Sequence, residues 1–90
     1  MLSRFAINFV MKAILFSTTA LRQWTRLGTE VRARIEARLE RYAENGHGDV
    51  KKLRGRAGLR IRVGDWRDIS FEDRDTITVV AVAHWRQIYD

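Results

Sequence analysis

The stretch LRIRVGDWRDISF, residues 59–71, predicts a β-hairpin. Apolar and cationic residues alternate along its first half, which is the pattern of a strand with one buried face. A two-residue turn at Gly64-Asp65 would place Arg62 directly opposite Arg67. The apolar side chains would then face the core, and the opposite face would carry Arg60, Arg62 and Arg67.

Three arginines on one sheet face require an explanation, because like charges opposite each other destabilise a sheet. A bound phosphodiester would provide one, since guanidinium groups bind phosphate in a planar, bidentate way. A solvated face neutralised by Asp65 or Asp68 is the alternative, and the spacing does not choose between the two. The same register puts Asp68 opposite Ile61 on the core face, where a carboxylate needs a partner.

The composition limits the classes of protein to consider. Seventeen Lys and Arg against eleven Asp and Glu give a net charge of +6, which favours a polyanionic partner: nucleic acid, an acidic protein or an anionic membrane. The absence of cysteine excludes disulfides and thiolate zinc sites and fits a cytoplasmic protein. His47 and His84 are too scattered to indicate a metal site, and no glycine-rich phosphate loop occurs.

The remaining pattern predicts an α+β domain, with two N-terminal helices packed on one face of a small, mainly antiparallel four-stranded sheet. We expect strands over 12–17, 59–63, 66–71 and 76–83, and helices over 20–27 and 30–45. Ser17, Thr18 or Thr19 would cap the first helix and Thr29 the second, and residues 45–58 read as a basic loop. Off the apolar stripe of the second helix lie Arg32, Arg34, Arg38 and Arg41, as a solvated face or a docking surface for an acidic partner.

The first residues admit two interpretations. Lys12 interrupts the apolar run of residues 1–20, which falls short of the ~18 apolar residues of a membrane helix, so we expect no targeting segment and no membrane partner. Residues 1–10 are then a possible N-terminal extension or an edge strand, with Met11 as the functional start. Residues 11–90 form the single predicted domain.

The ending VAVAHWRQIYD, residues 80–90, adds groups that can move protons. His84, Arg86 and Tyr89 near a cationic sheet face suggest acid–base chemistry on a phosphodiester. One group would take the proton of a ribose 2′-hydroxyl and another would protonate the leaving 5′-oxygen, which needs no metal. Each residue also has a structural interpretation: His84 capping a strand, Arg86 pairing with Asp90, and Tyr89 packing on the core.

The chain resembles the RelE/ParE superfamily of toxins from type II toxin–antitoxin systems, and more closely the RelE branch. The resemblance rests on MKAILFSTTALRQWTRL, on VKKLRGRAGLRIRVGDWR and on DTITVVAVAHWRQIY, whose HWRQIY ending matches the H-R-R-E-V-Y type of many members. It implies a metal-independent, cofactor-free endoribonuclease that cuts mRNA in the ribosomal A site and is inhibited by a cognate antitoxin. It also implies operator DNA as a possible partner of the toxin–antitoxin complex. By this resemblance the catalytic residues are Arg60, Arg62, Arg67, His84, Arg86 and Tyr89, and ribosomal RNA is bound by Lys51, Lys52, Arg54 and Arg56.

Departures from the family pattern, among them Asp68 where the family usually has an apolar residue, keep a degenerate member open, and the shared fold keeps a ParE-like toxin open. Some members carry lysine where this chain has Arg60 and Arg62; arginine is a poor proton donor, which makes His84 the expected acid. Trp85 replaces a residue that is often basic. The alternatives are a ParE-like, non-enzymatic inhibitor of DNA gyrase and a catalytically degenerate member that still binds antitoxin.

Overall fold

The computed structural model describes residues 11–53 and 58–87 of the chain. Within these ranges, one strand and two helices are followed by four further strands. The elements are β1 (Ala13–Phe16), α1 (Thr18–Thr25), α2 (Thr29–Asn45), β2 (Val50–Lys52), β3 (Gly58–Val63), β4 (Trp66–Glu72) and β5 (Thr76–His84), and then a 3₁₀ turn (Trp85–Gln87). The possible N-terminal extension, residues 1–10, lies outside the described residues.

The strands form one mixed sheet in the order β1-β5-β4-β3-β2, with β1 parallel to β5 and the other neighbours antiparallel. The prediction of four strands was wrong, because β2 lies within the segment predicted to be a basic loop. Val50 pairs with Ile61 and packs against the core, which holds this short strand on the sheet. A strand of three residues is too short to reveal itself by alternation.

The predicted hairpin register is confirmed. Val63 lies opposite Trp66 and Arg62 opposite Arg67, and the same ladder pairs Arg60 with Ile69 and Ile61 with Asp68. Gly64 occupies the turn with φ of 62°, a conformation that glycine adopts without the steric cost borne by other residues. The turn and the alternation of side chains therefore fix which residues of β3 and β4 share a face.

The helix caps agree in part with the predicted ones. Ser17 caps α1, its Oγ accepting a hydrogen bond from the backbone N–H of Ala20 at 3.1 Å. The predicted cap of α2, Thr29, is instead the first helical residue, and Gly28 occupies the cap position in an extended conformation. At the other end, Gly46 takes a left-handed conformation and donates its N–H to the carbonyl of Tyr42, which ends the helix.

Both helices pack on the same face of the sheet, as predicted, and enclose one apolar core. Its buried members are Ala20, Ile35, Leu39, Ile61, Val63, Val79 and Val82. Two polar residues of β4, Asp68 and Ser70, are also buried on this face. No helix in the described part of the chain is both long enough and apolar enough to cross a bilayer.

Candidate functional site

The sheet face turned away from the helices collects the cations of three neighbouring strands. The register puts Lys51 of β2 opposite Arg60 of β3, and Arg62 of β3 opposite Arg67 of β4. Since Leu59, Ile61 and Val63 are buried against the helices, alternation directs these cations to the other face. We call this surface the arginine face; it comprises Lys51, Arg60, Arg62 and Arg67.

Separate partners relieve the repulsion between the two arginines that lie opposite each other. Arg62 Nε donates to Asp49 Oδ2 at 2.7 Å, in a pair whose side chains are 61% and 53% exposed. Arg67 Nη1 donates to the carbonyl oxygens of Gly64 and Trp66, at 2.8 and 2.9 Å. The Arg62–Asp49 pair and the Arg67 bond to Gly64 are exposed, so a phosphate can replace them; the Arg67 bond to Trp66 is partly buried. Sequence reasoning missed Asp49, which precedes the unforeseen strand β2.

The four cations predicted to bind ribosomal RNA do not form one group. Lys51 belongs to the arginine face, whereas Lys52 lies opposite Leu59 on the helix side of the sheet. There its charge adds to the hydrogen bonds from Lys12 and Tyr42, which together lower the pKa of Glu72 although burial alone would raise it. Arg54 and Arg56 lie outside the described residues.

His84 is not on the arginine face. It lies opposite Trp66, which shares the helix side of the sheet, and the two rings meet edge-on with centroids 5.5 Å apart. A bulge causes this placement: Ile69 pairs with Ala81 and Ser70 with Val79, so that Val80 is an extra residue in β5. Without it, strict alternation from the buried Val79 would direct His84 to the opposite face.

The end of β5 forms a small aromatic cluster beside the hairpin turn. The backbone N–H of Trp85 donates to the carbonyl of Asp65 at 2.8 Å, which fixes the 3₁₀ turn to the hairpin. His84 Nδ1 accepts the backbone N–H of Arg86 at 3.3 Å, leaving Nε2 as the ring atom that can exchange a proton with a ligand. The Arg86 guanidinium lies 5.5 Å from the centre of the Trp85 ring, a cation–π contact. Tyr89 lies outside the described residues.

The geometry can therefore bind and neutralise a phosphodiester on one face and offer an imidazole at the end of the hairpin. Arginine is a poor proton donor near neutral pH, because its guanidinium group stays protonated. Proton transfer would thus require His84, Tyr89 or groups supplied by a partner. The described residues contain no cluster of three or more carboxylate, imidazole or thiol groups that could hold a metal ion.

Sequence comparison finds no matching protein-family model and no matching curated protein. Solved structures do match. A chain of the RelB–RelE antitoxin–toxin complex from Methanococcus jannaschii is 31% identical, with a TM-score of 0.70 over 84% of this chain and 95% of that chain. The RelBE2 toxin–antitoxin complex from Mycobacterium tuberculosis matches at 22% identity and a TM-score of 0.71, over 86% and 94% of the two chains.

The intact RelBE complex from E. coli matches at 24% identity and a TM-score of 0.70, covering 81% of this chain and 95% of that one. At 22% and 24% identity, the matches to the Mycobacterium tuberculosis and E. coli complexes show that the fold is shared. The match to the Methanococcus jannaschii chain, at 31% identity over 95% of that chain, shows a common family and not only a shared fold. The chain that carries the β3–β4 hairpin with its arginines and the HWRQIY ending therefore belongs to the RelE family of toxins.

Proposed function

We propose that this protein is the toxin of a type II toxin–antitoxin system and cleaves mRNA in the A site of the ribosome. The observation that carries the proposal is the arginine face: four cations on adjacent strands, on the sheet face that neither helix covers, in a member of the RelE family. A phosphodiester chain is the anion that best matches several guanidinium groups along one surface.

Arg62 and Arg67 bind the scissile phosphate in this proposal. The phosphate replaces Asp49 as the partner of Arg62 and the turn carbonyls as partners of Arg67. Each exchange turns a contact made in the free protein into a charge-assisted hydrogen bond to RNA. As the 2′-oxygen attacks phosphorus and the 5′-oxygen leaves, the two guanidinium groups stabilise the charge that builds on the phosphoryl oxygens.

Proton transfer is assigned to His84 and Tyr89. One takes the proton of the 2′-hydroxyl and the other protonates the leaving 5′-oxygen, while Arg86 holds His84 through its backbone N–H. The 2′- and 5′-oxygens react at the same phosphorus that Arg62 and Arg67 hold. His84, on the other side of the sheet, can therefore act only on a phosphate bound at the end of the hairpin, where Arg67 Nη1 contacts the Gly64 carbonyl.

A cognate antitoxin is the proposed inhibitor, as in the RelB–RelE complexes that this chain resembles. A net charge of +6 favours an acidic, partly disordered antitoxin segment whose helix covers the basic surface and masks the site. Operator DNA would be bound through that toxin–antitoxin complex.

The test is translation of a defined mRNA in a purified system, with new 5′ ends mapped by primer extension. Wild type is compared with Arg67→Ala, His84→Gln and Tyr89→Phe, and with Arg74→Ala, which removes an exposed arginine from the β4–β5 turn, as the matched control. We expect ribosome-dependent cuts within A-site codons, reduced by about 10²-fold in Arg67→Ala and unchanged in the control. Intact mRNA under all conditions would overturn the proposal.

A non-catalytic toxin is the second candidate, and the separation of His84 from the arginine face is the observation that favours it. Such a protein would bind RNA or antitoxin through the arginine face without cleaving. If translation stops while mRNA stays intact, this candidate stands. If translation continues, the supercoiling activity of gyrase is measured next, because a ParE-like inhibitor would lower it.

A further inference from the structure

Three of the four arginines of α2 lie on one flank of the helix, and Glu36 and Glu40 lie on the other, together with Arg32. Val31, Ile35 and Leu39 contribute to the core, so they mark the side that faces the sheet. Spacings of four and three residues place three arginines on one flank, and a spacing of four places two glutamates on the other. We call the first set the α2 arginine stripe; it comprises Arg34, Arg38 and Arg41.

Contacts on each flank show which way the stripe points. Glu36 and Glu40 line a cavity of about 390 Å³ together with Met11 and Lys12, beside β1 at one edge of the sheet. The stripe therefore lies on the flank toward the hairpin, and Arg34 reaches it. A Cβ added to Gly64 in the hairpin turn would lie only 2.8 Å from Arg34 Nη2.

The stripe is exposed and forms no ion pair among the described residues; the one acidic residue on its flank, Glu30, lies one turn before Arg34. All three arginines are solvent-exposed, and none forms an ion pair with another described residue. Like charges three and four residues apart destabilise an isolated helix. Every cationic residue of α1 and α2 is an arginine, the residue type best suited to bidentate binding of phosphate.

We propose that the α2 arginine stripe is a second RNA-binding surface and that its ligand is the phosphate backbone of double-helical RNA. Arg34 makes it continuous with the arginine face around the hairpin turn, so one polyanionic partner can contact both. The three guanidinium groups span about 10 Å along a rigid helix, at 1.5 Å per residue. The one aromatic residue of α2, Tyr42, packs against the core and donates its hydroxyl to Glu72, so the stripe offers no ring on which a base could stack. Proteins that bind single strands generally stack bases on aromatic rings. A duplex, which offers phosphates but no unstacked bases, fits this surface best.

This surface is distinct from the catalytic face and relies on the proposed function only in taking RNA as the partner. The α2 arginine stripe would bind a structured RNA, while the arginine face binds the single-stranded substrate. An acidic polypeptide is the competing ligand for the same charges, and the experiment separates the two.

The experiment measures binding of the full chain to a fluorescein-labelled RNA duplex of about 16 base pairs, by anisotropy between about 50 and 200 mM salt. The test variant is Arg38→Gln/Arg41→Gln, which spares Arg34 and its contact with the hairpin. The matched control is Arg22→Gln/Arg74→Gln, which removes the same charge from two exposed positions away from the stripe. An oligo-glutamate peptide serves as the acidic competitor.

We expect the test variant to bind the duplex roughly tenfold to a hundredfold more weakly at about 100 mM salt, with the slope of log K against log salt smaller by about 1.8. The control should keep the wild-type slope, and Arg38→Lys/Arg41→Lys should restore it because the charges are retained. If the double glutamine variant does not fold, each single variant should lower the slope by about 0.9.

Equal losses of duplex affinity in the test and control variants would mean that only the net charge matters, and this would overturn the proposal. An unchanged duplex affinity would overturn it as well, whether or not the test variant lost affinity for the peptide; such a loss would assign the stripe to an acidic protein. A wild-type protein that binds the duplex but leaves mRNA intact would refute the proposed cleavage and leave this inference standing.

Discussion

Replacing Asp68 with asparagine is predicted to remove a pH dependence from the stability of this protein. Asp68 is 1% exposed in the middle of the sheet. Its Oδ1 accepts a hydrogen bond from Ser70 at 2.5 Å, while Oδ2 has no hydrogen-bond partner among the described residues. Burial raises the pKa of Asp68 from 3.8 to about 7, although the Ser70 hydrogen bond opposes the shift.

The sign and the size of the effect follow from this shift. The folded protein holds the proton of Asp68 more tightly than the unfolded chain does, so the stabilisation is complete below pH 3.8 and is lost as the pH rises through about 7. A difference of about three pH units corresponds to about 4 kcal/mol in the free energy of unfolding. Asparagine cannot ionise and keeps an oxygen that can accept the Ser70 hydrogen bond.

Urea unfolding followed by tryptophan fluorescence, at intervals from pH 4 to pH 8, measures the difference. Relative to Asp68→Asn, the wild type should lose about 4 kcal/mol over this range, most of it below pH 7. Asp75→Asn, at an exposed position in the β4–β5 turn, controls for the loss of one carboxylate. Wild-type and Asp68→Asn curves that stay parallel within about 0.5 kcal/mol would refute the reasoning.

Three further substitutions test other contacts. Gly64→Ala should cost about 1 kcal/mol because of the positive φ at the turn, lowering Tm by about 4–8 °C in calorimetry; an unchanged Tm would contradict this. Asp49→Asn should change stability by less than about 1 kcal/mol but strengthen binding of single-stranded RNA in filter assays, since the carboxylate no longer competes for Arg62; weaker binding would count against the proposed phosphate contact. Tyr42→Phe should raise the pKa of Glu72 in an NMR titration and cost about 1 kcal/mol, because a 2.8 Å hydrogen bond is lost; an unmoved pKa would exclude that role for the hydroxyl.

The hairpin was predictable because its signals agree with one another. Alternation in β3, a Gly-Asp turn and the arginine after the turn all specify the same register, and a slip by one residue would bury the arginines. The same register correctly placed Asp68 on the core face. Its partner, Ser70, lies two residues farther along the same strand and therefore on the same face.

The position of His84 could not be read from the sequence, because VVAVA offers no polar residue to mark a face. Val79 and Val82 are both buried although they are three residues apart, which is a consequence of the bulge. The small apolar residues between them fit either face, so the sequence does not reveal it. The strand β2 escaped detection for a related reason: three residues give too little pattern, and neighbouring glycines and lysines resemble a loop. The parallel pairing of β1 joins residues far apart in sequence, which local patterns cannot specify.

That parallel pairing has a consequence for the synthesis of the protein. Ala13 of β1 finds its partner only in Thr76 of β5, and Ser17 donates its N–H to the carbonyl of Val79. β1 therefore cannot join the sheet until β5 has been synthesised, and contacts between residues so far apart in sequence form slowly. The arginine face needs neither of these strands, because its cations lie on β2, β3 and β4. The placement of His84 at the end of the hairpin does require β5. The topology thus makes the complete proposed site, with cations and imidazole together, a late product of folding, which gives an antitoxin time to meet the toxin as it folds.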